Sequence, residues 1–189
     1  MQQGTTIMPR AVAAVLGLLA ACAFAADGWE ALARPGAIVL FRHATAPGFG
    51  DPPGFRLGDC SSQRNLGEQG RTEARAIGEQ FRRRGIGVGA VLSSQWCRSR
   101  DTARLAFGDR VQEEPAFNSL FSLGPQQREA QTDAARRLLR RWKGPGVLVV
   151  VTHQVNISAL TGQGTSSGEG VVVQPTAEGP FRVLGTIQP

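Results

Sequence analysis

Two short runs of uninterrupted apolar residues constrain this chain most: Ala37–Phe41 (AIVLF) and Val147–Val151 (VLVVV). Five apolar residues in a row, with no polar alternation, describe a strand buried on both faces. Such strands need helices on either side of their sheet. The rest of the chain supplies them. A helix is expected over Gly67–Arg84 with Ala74, Ile77 and Phe81 inward, and a strand over Val88–Ser93. A second helix follows at Gln95–Phe107 and a weaker edge strand at Val111–Phe117. A third helix spans Pro125–Lys143, with Ala130, Ala134, Leu138 and Trp142 on its apolar stripe. A short helix at Asn156–Leu160 and an antiparallel pair, Val171–Gln174 with Phe181–Ile187, close the chain. This alternation predicts an α/β three-layer sandwich with a mostly parallel sheet.

The first 25 residues read as a leader: Arg10 precedes the apolar run Ala11–Ala21, and Ala23-Phe24-Ala25 follows as an A-x-A site. Residues 26–189 then form the mature domain. Leu19-Ala20-Ala21-Cys22 offers the alternative of a lipoprotein anchored through Cys22. In either case the product is exported, periplasmic or secreted, and no stable membrane span is expected. Removal of Cys22 leaves Cys60 and Cys97, a disulfide candidate in an oxidising compartment, with two free thiols as the alternative.

The formal charge is +6, and Lys+Arg together number 21. Most of these are arginines, which suit an anionic substrate or a solvated basic surface. They are scattered and not interleaved with aromatics, so nucleic acid is not the expected partner.

The chain's 2 histidines carry the chemistry. His43 directly follows the first apolar strand and its Arg42; His153 follows the strongest strand and Thr152. In an open α/β sheet both strand ends lie on the ligand-binding rim. Arg98, opening the helix after Val88–Ser93, lies on the same rim, and that helix's N-terminus offers backbone donors. Two imidazoles and two guanidiniums make a pocket for a tetrahedral anion. Clustered Cys, Asp and Glu at ligand spacing are lacking, so no metal and no cofactor are expected, and there is no G-x-S-x-G elbow.

Four segments carry a family resemblance: Leu40-Phe41-Arg42-His43-Ala44; Asn65-Leu66-Gly67-Glu68-Gln69-Gly70-Arg71; Leu92-Ser93-Ser94-Gln95-Trp96-Cys97-Arg98 with Asp101-Thr102-Ala103; and Thr152-His153. In this order they resemble the histidine phosphatase superfamily, with its phosphoglycerate mutase-like fold, over about Ala37–Gly162. The resemblance implies an exported phosphatase of the histidine acid phosphatase type, acting on a small phosphorylated substrate. His43 would be the phosphorylated nucleophile, and His153, Arg42 and Arg98 the rest of the phosphate pocket. Thr45 is a further candidate phosphate ligand. The exported pattern resembles lipopolysaccharide-core heptose phosphatases.

Three departures stand out. Ala44 replaces the motif's glycine. Ser119 stands where mutase-type members carry a glutamate, and Gln154 where phytase-like members carry an aspartate. A proton donor is thus missing from both familiar places. Glu114 is the candidate replacement, with Glu113 and Asp51, each otherwise a solvated charge. The alternatives are a non-catalytic anion-binding module and a mutase. Asn156-Ile157-Ser158 matches a glycosylation sequon but reads better as a helix start.

Overall fold

The computed structural model describes Met1 and residues 27–189. The leader expected over residues 1–25, and Cys22 with it, lies outside that main span. Among the described residues no helix is long and apolar enough to cross a membrane.

The chain builds one six-stranded sheet. After a short helix α1 (Gly28–Leu32) come β1 (Ile38–Arg42), α2 (Glu68–Arg83), β2 (Val88–Ser93), α3 (Cys97–Phe107), β3 (Val111–Glu113), α4 (Pro125–Arg140), β4 (Val147–Thr152), α5 (Gln154–Thr161), β5 (Gly170–Gln174) and β6 (Arg182–Ile187). The strand order is β3-β2-β4-β1-β5-β6. The first four of these are mutually parallel, and β5 runs antiparallel to both β1 and β6. This is the expected three-layer α/β sandwich.

The apolar runs are central because they are covered twice. Val39 and Phe41 of β1, with Val147, Val149 and Val151 of β4, pack with Ile77, Phe81, Ala103 and Ala106 of α2 and α3. The alternate residues, Ile38, Leu40, Leu148 and Val150, pack with Ala135, Leu139, Ile157 and Leu160 of α4 and α5 on the opposite face. Period-two alternation thus splits each run between two cores.

Three expectations are corrected. The edge strand ends at Glu113, not Phe117; Pro115–Phe117 is a 3-10 turn. Pro115 has no N–H for a ladder, and the Glu114 carboxylate accepts from the Ala116 N–H at 3.1 Å, turning Phe117 into the core. The apolar side of α4 is wider than the expected stripe: Thr132, Ala135 and Leu139 are buried, and Ala134, Leu138 and Trp142 pack half-buried against the same core. Ala130 is exposed, while Ala134, Leu138 and Trp142 line an open cleft of about 430 Å³ beside β2. The helix expected from Gln95, α3, starts at Cys97.

Candidate active site

The parallel ladder delivers both histidines to one rim. β1 and β4 are neighbours in register, Arg42 opposite Thr152. The His43 N–H donates to the Thr152 carbonyl at 2.9 Å, extending the ladder by one residue. The two imidazole rings then sit 5.4 Å apart at 69°. Both are buried, at 3% and 4% exposure.

His43 has a defined orientation. Its Nδ1 lies 2.8 Å from the Ala44 carbonyl, which only an N–H can face, so the proton is assigned to Nδ1. The lone pair is left on Nε2, which accepts from Arg98 Nε at 3.2 Å. Burial, together with the charges of Arg98, Arg64 and Arg42, lowers the His43 pKa from 6.5 to about 3. The ring is neutral at neutral pH, as a nucleophile must be. His153 stands at the N-cap position of α5, its side chain making no capping bond. Its Nε2 lies 2.9 Å from Ser94 Oγ, and burial, then the charges of its neighbours, hold its pKa well below the ordinary value.

Arg98 is almost fully buried in the first turn of α3. The structure brings it to His43, as expected, and adds a partner. Its fork grips Asp51 at 2.7 and 3.2 Å. Asp51 also accepts from Trp96 Nε1 at 2.9 Å and from the Arg64 N–H at 3.2 Å. The expectation of a solvated loop charge at Asp51 is therefore overturned. Burial pushes its carboxyl up, but the hydrogen bonds from Arg98 and Trp96 outweigh this and hold it below its ordinary range. Asp51 is a carboxylate at neutral pH, not a stored proton.

Arg42 donates to the Thr165 carbonyl at 2.9 Å, and its buried Nε has no partner among the described residues. Arg64, which the motif reading passed over, adds a third guanidinium; its Nε donates to the Gly50 carbonyl at 2.7 Å and its charge acts on both histidines. The signal for it was its position directly before the Asn65-Leu66-Gly67 segment.

Other expected residues are engaged elsewhere. The Thr45 hydroxyl donates to Glu73 Oε1 at 2.9 Å, and its N–H donates to Oε2 of the same side chain at 2.8 Å. Glu114 caps the 3-10 turn, and Glu113 pairs at 3.4 Å with Arg100. Backbone donors before α3 are spent internally: the N–H of Gln95 goes to Asn118, of Trp96 to Ser94 and of Cys97 to Gln63. Asn156 is not the expected helix start: α5 begins at Gln154, and Asn156 is buried in its first turn, bonding Asn118 and Leu120.

The wall of the pocket is the segment between β1 and α2. Cys60 and Cys97 are joined by a disulfide, with Cα atoms 5.7 Å apart, as the cysteine count suggested. Phe55 stacks on Trp96 at 5.0 Å, and Trp96 meets the edge of His153 at 5.5 Å. Among the described residues no group of three or more His, Cys, Asp or Glu stands ready to hold a metal. The arrangement presents a neutral nucleophilic nitrogen among three fixed cations and one carboxylate, with a second imidazole beside it.

No protein-family model matches the chain, and no curated protein matches it by sequence. Solved structures do. A protein assigned as the phosphohistidine phosphatase SixA of Agrobacterium tumefaciens matches with TM-score 0.54 and 21% identity, over 82% of this chain and 99% of that one. One assigned as an alpha-ribazole-5'-P phosphatase of Escherichia coli matches with TM-score 0.55 and 17% identity, over 81% and 94%. A protein histidine phosphatase SixA complexed with tungstate matches with TM-score 0.51 and 16% identity, over 80% and 96%. At such identities these likenesses establish the fold. It is the phosphoglycerate mutase-like α/β fold that these solved structures share.

Proposed function

We propose that this protein is a phosphatase that hydrolyses phosphomonoesters through a phosphohistidine formed on His43. One observation carries the reading: the lone pair of His43 Nε2 faces Arg98 Nε–H at 3.2 Å, so a phosphoryl group entering there meets nucleophile and cation together. Nε2 attacks phosphorus, the P–O bond to the leaving group breaks, and that oxygen takes up a proton from solvent water. Water then attacks the phosphohistidine, releasing phosphate and restoring the neutral ring. Arg42, Arg64 and Arg98 neutralise charge on the equatorial oxygens, the main catalytic demand of phosphoryl transfer. His153 lies beside the transferred group, held by Ser94.

Asp51, kept ionised by Arg98, does not donate the leaving group's proton at neutral pH. The chemistry therefore favours leaving groups that depart with little acid assistance. A non-catalytic anion-binding module is the second reading, and this lack of a strong acid favours it. Export into an oxidising compartment belongs to the proposal. Its supports are the leader-like residues 1–25 and a disulfide of a kind that persists outside the cytosol. The resemblance of the exported sequence pattern to heptose phosphatases adds sugar phosphates to the panel to be assayed.

Rapid quench with a labelled phosphomonoester tests the proposal. The expected product is an acid-labile, alkali-stable phosphoenzyme, absent in His43→Ala along with turnover. A His43→Ala protein that turns over like wild type would overturn the nucleophile assignment, and wild-type protein that binds phosphate without ever becoming phosphorylated would favour the binding module.

A further inference from the structure

The described residues from 27 onward expose few large apolar side chains: Phe49 at 88%, Phe121 at 52% and Leu57 at 45%. Phe49 and Phe121 come from different loops and meet edge to face, their centroids 5.6 Å apart. Both loops border the site. Phe49 is two residues from Asp51, whose carboxylate grips Arg98, and two residues of chain reach no further than about 7 Å. Phe121 is three residues from Asn118. The Asn118 amide holds the Gln95 N–H at 2.9 Å, next to the Ser94 that bonds His153. One ring thus sits on the loop that carries Asp51, and the other on the loop that carries Asn118. Gly48 and Gly50, at φ +89° and +66°, flank Phe49 in a left-handed conformation that glycine adopts without strain. The backbone is built to present this ring outward.

Exposing two touching phenyl rings beside a cationic pocket is unfavourable unless something covers them. The polar groups around them are already engaged. The Phe121 and Leu123 carbonyls accept from Arg128 at 2.9 and 2.8 Å, and the Gly50 carbonyl accepts from Arg64. Ser119 Oγ accepts from the Phe121 N–H. The two ring faces are what the loops offer a ligand that is apolar.

We infer that Phe49 and Phe121 form the leaving-group subsite, and that the substrates are phosphomonoesters whose leaving group carries an apolar, aryl body, which departs with little acid assistance. The inference rests on the phosphatase reading for the phosphate and adds the chemistry of the group that departs.

Phosphonates, which carry the anion but cannot be hydrolysed, test it by calorimetric titration. Methyl-, butyl-, phenyl- and 2,3-dihydroxypropylphosphonate are compared on wild type and on Phe49→Ser/Phe121→Ser, whose exposed positions leave the core untouched; unchanged thermal melting checks this. Butyl- and phenylphosphonate should bind wild type about tenfold or more tighter than methylphosphonate, the scale of burying a few methylene groups. The double variant should lose that gain and bind methylphosphonate as before. Equal affinity for methyl- and phenylphosphonate overturns the subsite, as does a preference that survives the double substitution. Tighter binding of the dihydroxypropyl compound than of the butyl one overturns the apolar class in favour of a polyol. Absence of binding by every phosphonate overturns the anion pocket itself, and with it the reading on which the subsite rests.

Discussion

At the scale of single residues the site is a contest for Arg98. Its Nε–H is turned toward His43 and its NH1 and NH2 groups toward Asp51. Only a planar, forked cation serves two directions at once. Arg98→Lys should therefore lower kcat/KM nearly as far as Arg98→Ala, by about 2–4 kcal/mol of transition-state stabilisation, the scale of losing one oxyanion donor. Arg83→Ala, an exposed helix-end arginine, should leave kcat/KM within experimental error. Arg140 is unsuitable as that control, because its Nε donates to the Thr176 carbonyl at 2.8 Å. Asp51→Asn keeps the shape of the carboxylate and removes its charge. The fork is then held weakly, and kcat should fall while Tm drops modestly. Assays of initial rate and thermal melting on the same preparation check both.

At the scale of elements, the segment 44–66 is made into a wall by a few long-range ties. The disulfide closes a separation of 37 residues, for which chain entropy gives at most roughly 4 kcal/mol. Cys60→Ala/Cys97→Ala should lower Tm by an amount of that order or less. KM should rise as the Asp51–Trp96 side of the pocket loosens. The helix α2 fixes the other end. A Cβ added at Gly70 would lie 2.0 Å from the Thr45 carbonyl, so Gly70→Ala must push the His43 loop off the helix. It should cost about 1–3 kcal/mol, read by chemical denaturation, with loss of activity exceeding the loss of folded protein. The periodicity of α2 could be read from sequence because one face meets one sheet. That of α4 was legible only in part: Ala134, Leu138 and Trp142 do pack against the core, but they also line a cleft beside β2, and the fully buried positions are Thr132, Ala135 and Leu139.

At the scale of the whole molecule, burying two neutral histidines ties stability to pH. An unfolded chain binds protons on His43 and His153 below about 6.5, whereas the folded His43 takes one only near pH 3 and the folded His153 also well below 6.5. The unfolded state binds more protons in this window, so stability falls as pH falls from about 6.5. The slope is roughly 1.4 kcal/mol per pH unit for each histidine. His153→Asn should flatten that slope, measured by urea denaturation between pH 6.5 and 4. What the sequence by itself determined is the architecture and the two histidines. Uninterrupted apolar runs admit only a doubly covered sheet, and a residue placed directly after such a strand must emerge on the rim. What only the tertiary structure decided is which charges meet there. Asp51, Arg64 and Thr45 all lie in or at the ends of the segment joining β1 to α2, which has no period to read. Their partners are set by long-range contacts, the Cys60–Cys97 bond and the Phe55–Trp96 stack among them. A side chain's charge is local in sequence, but its partner is a property of the fold.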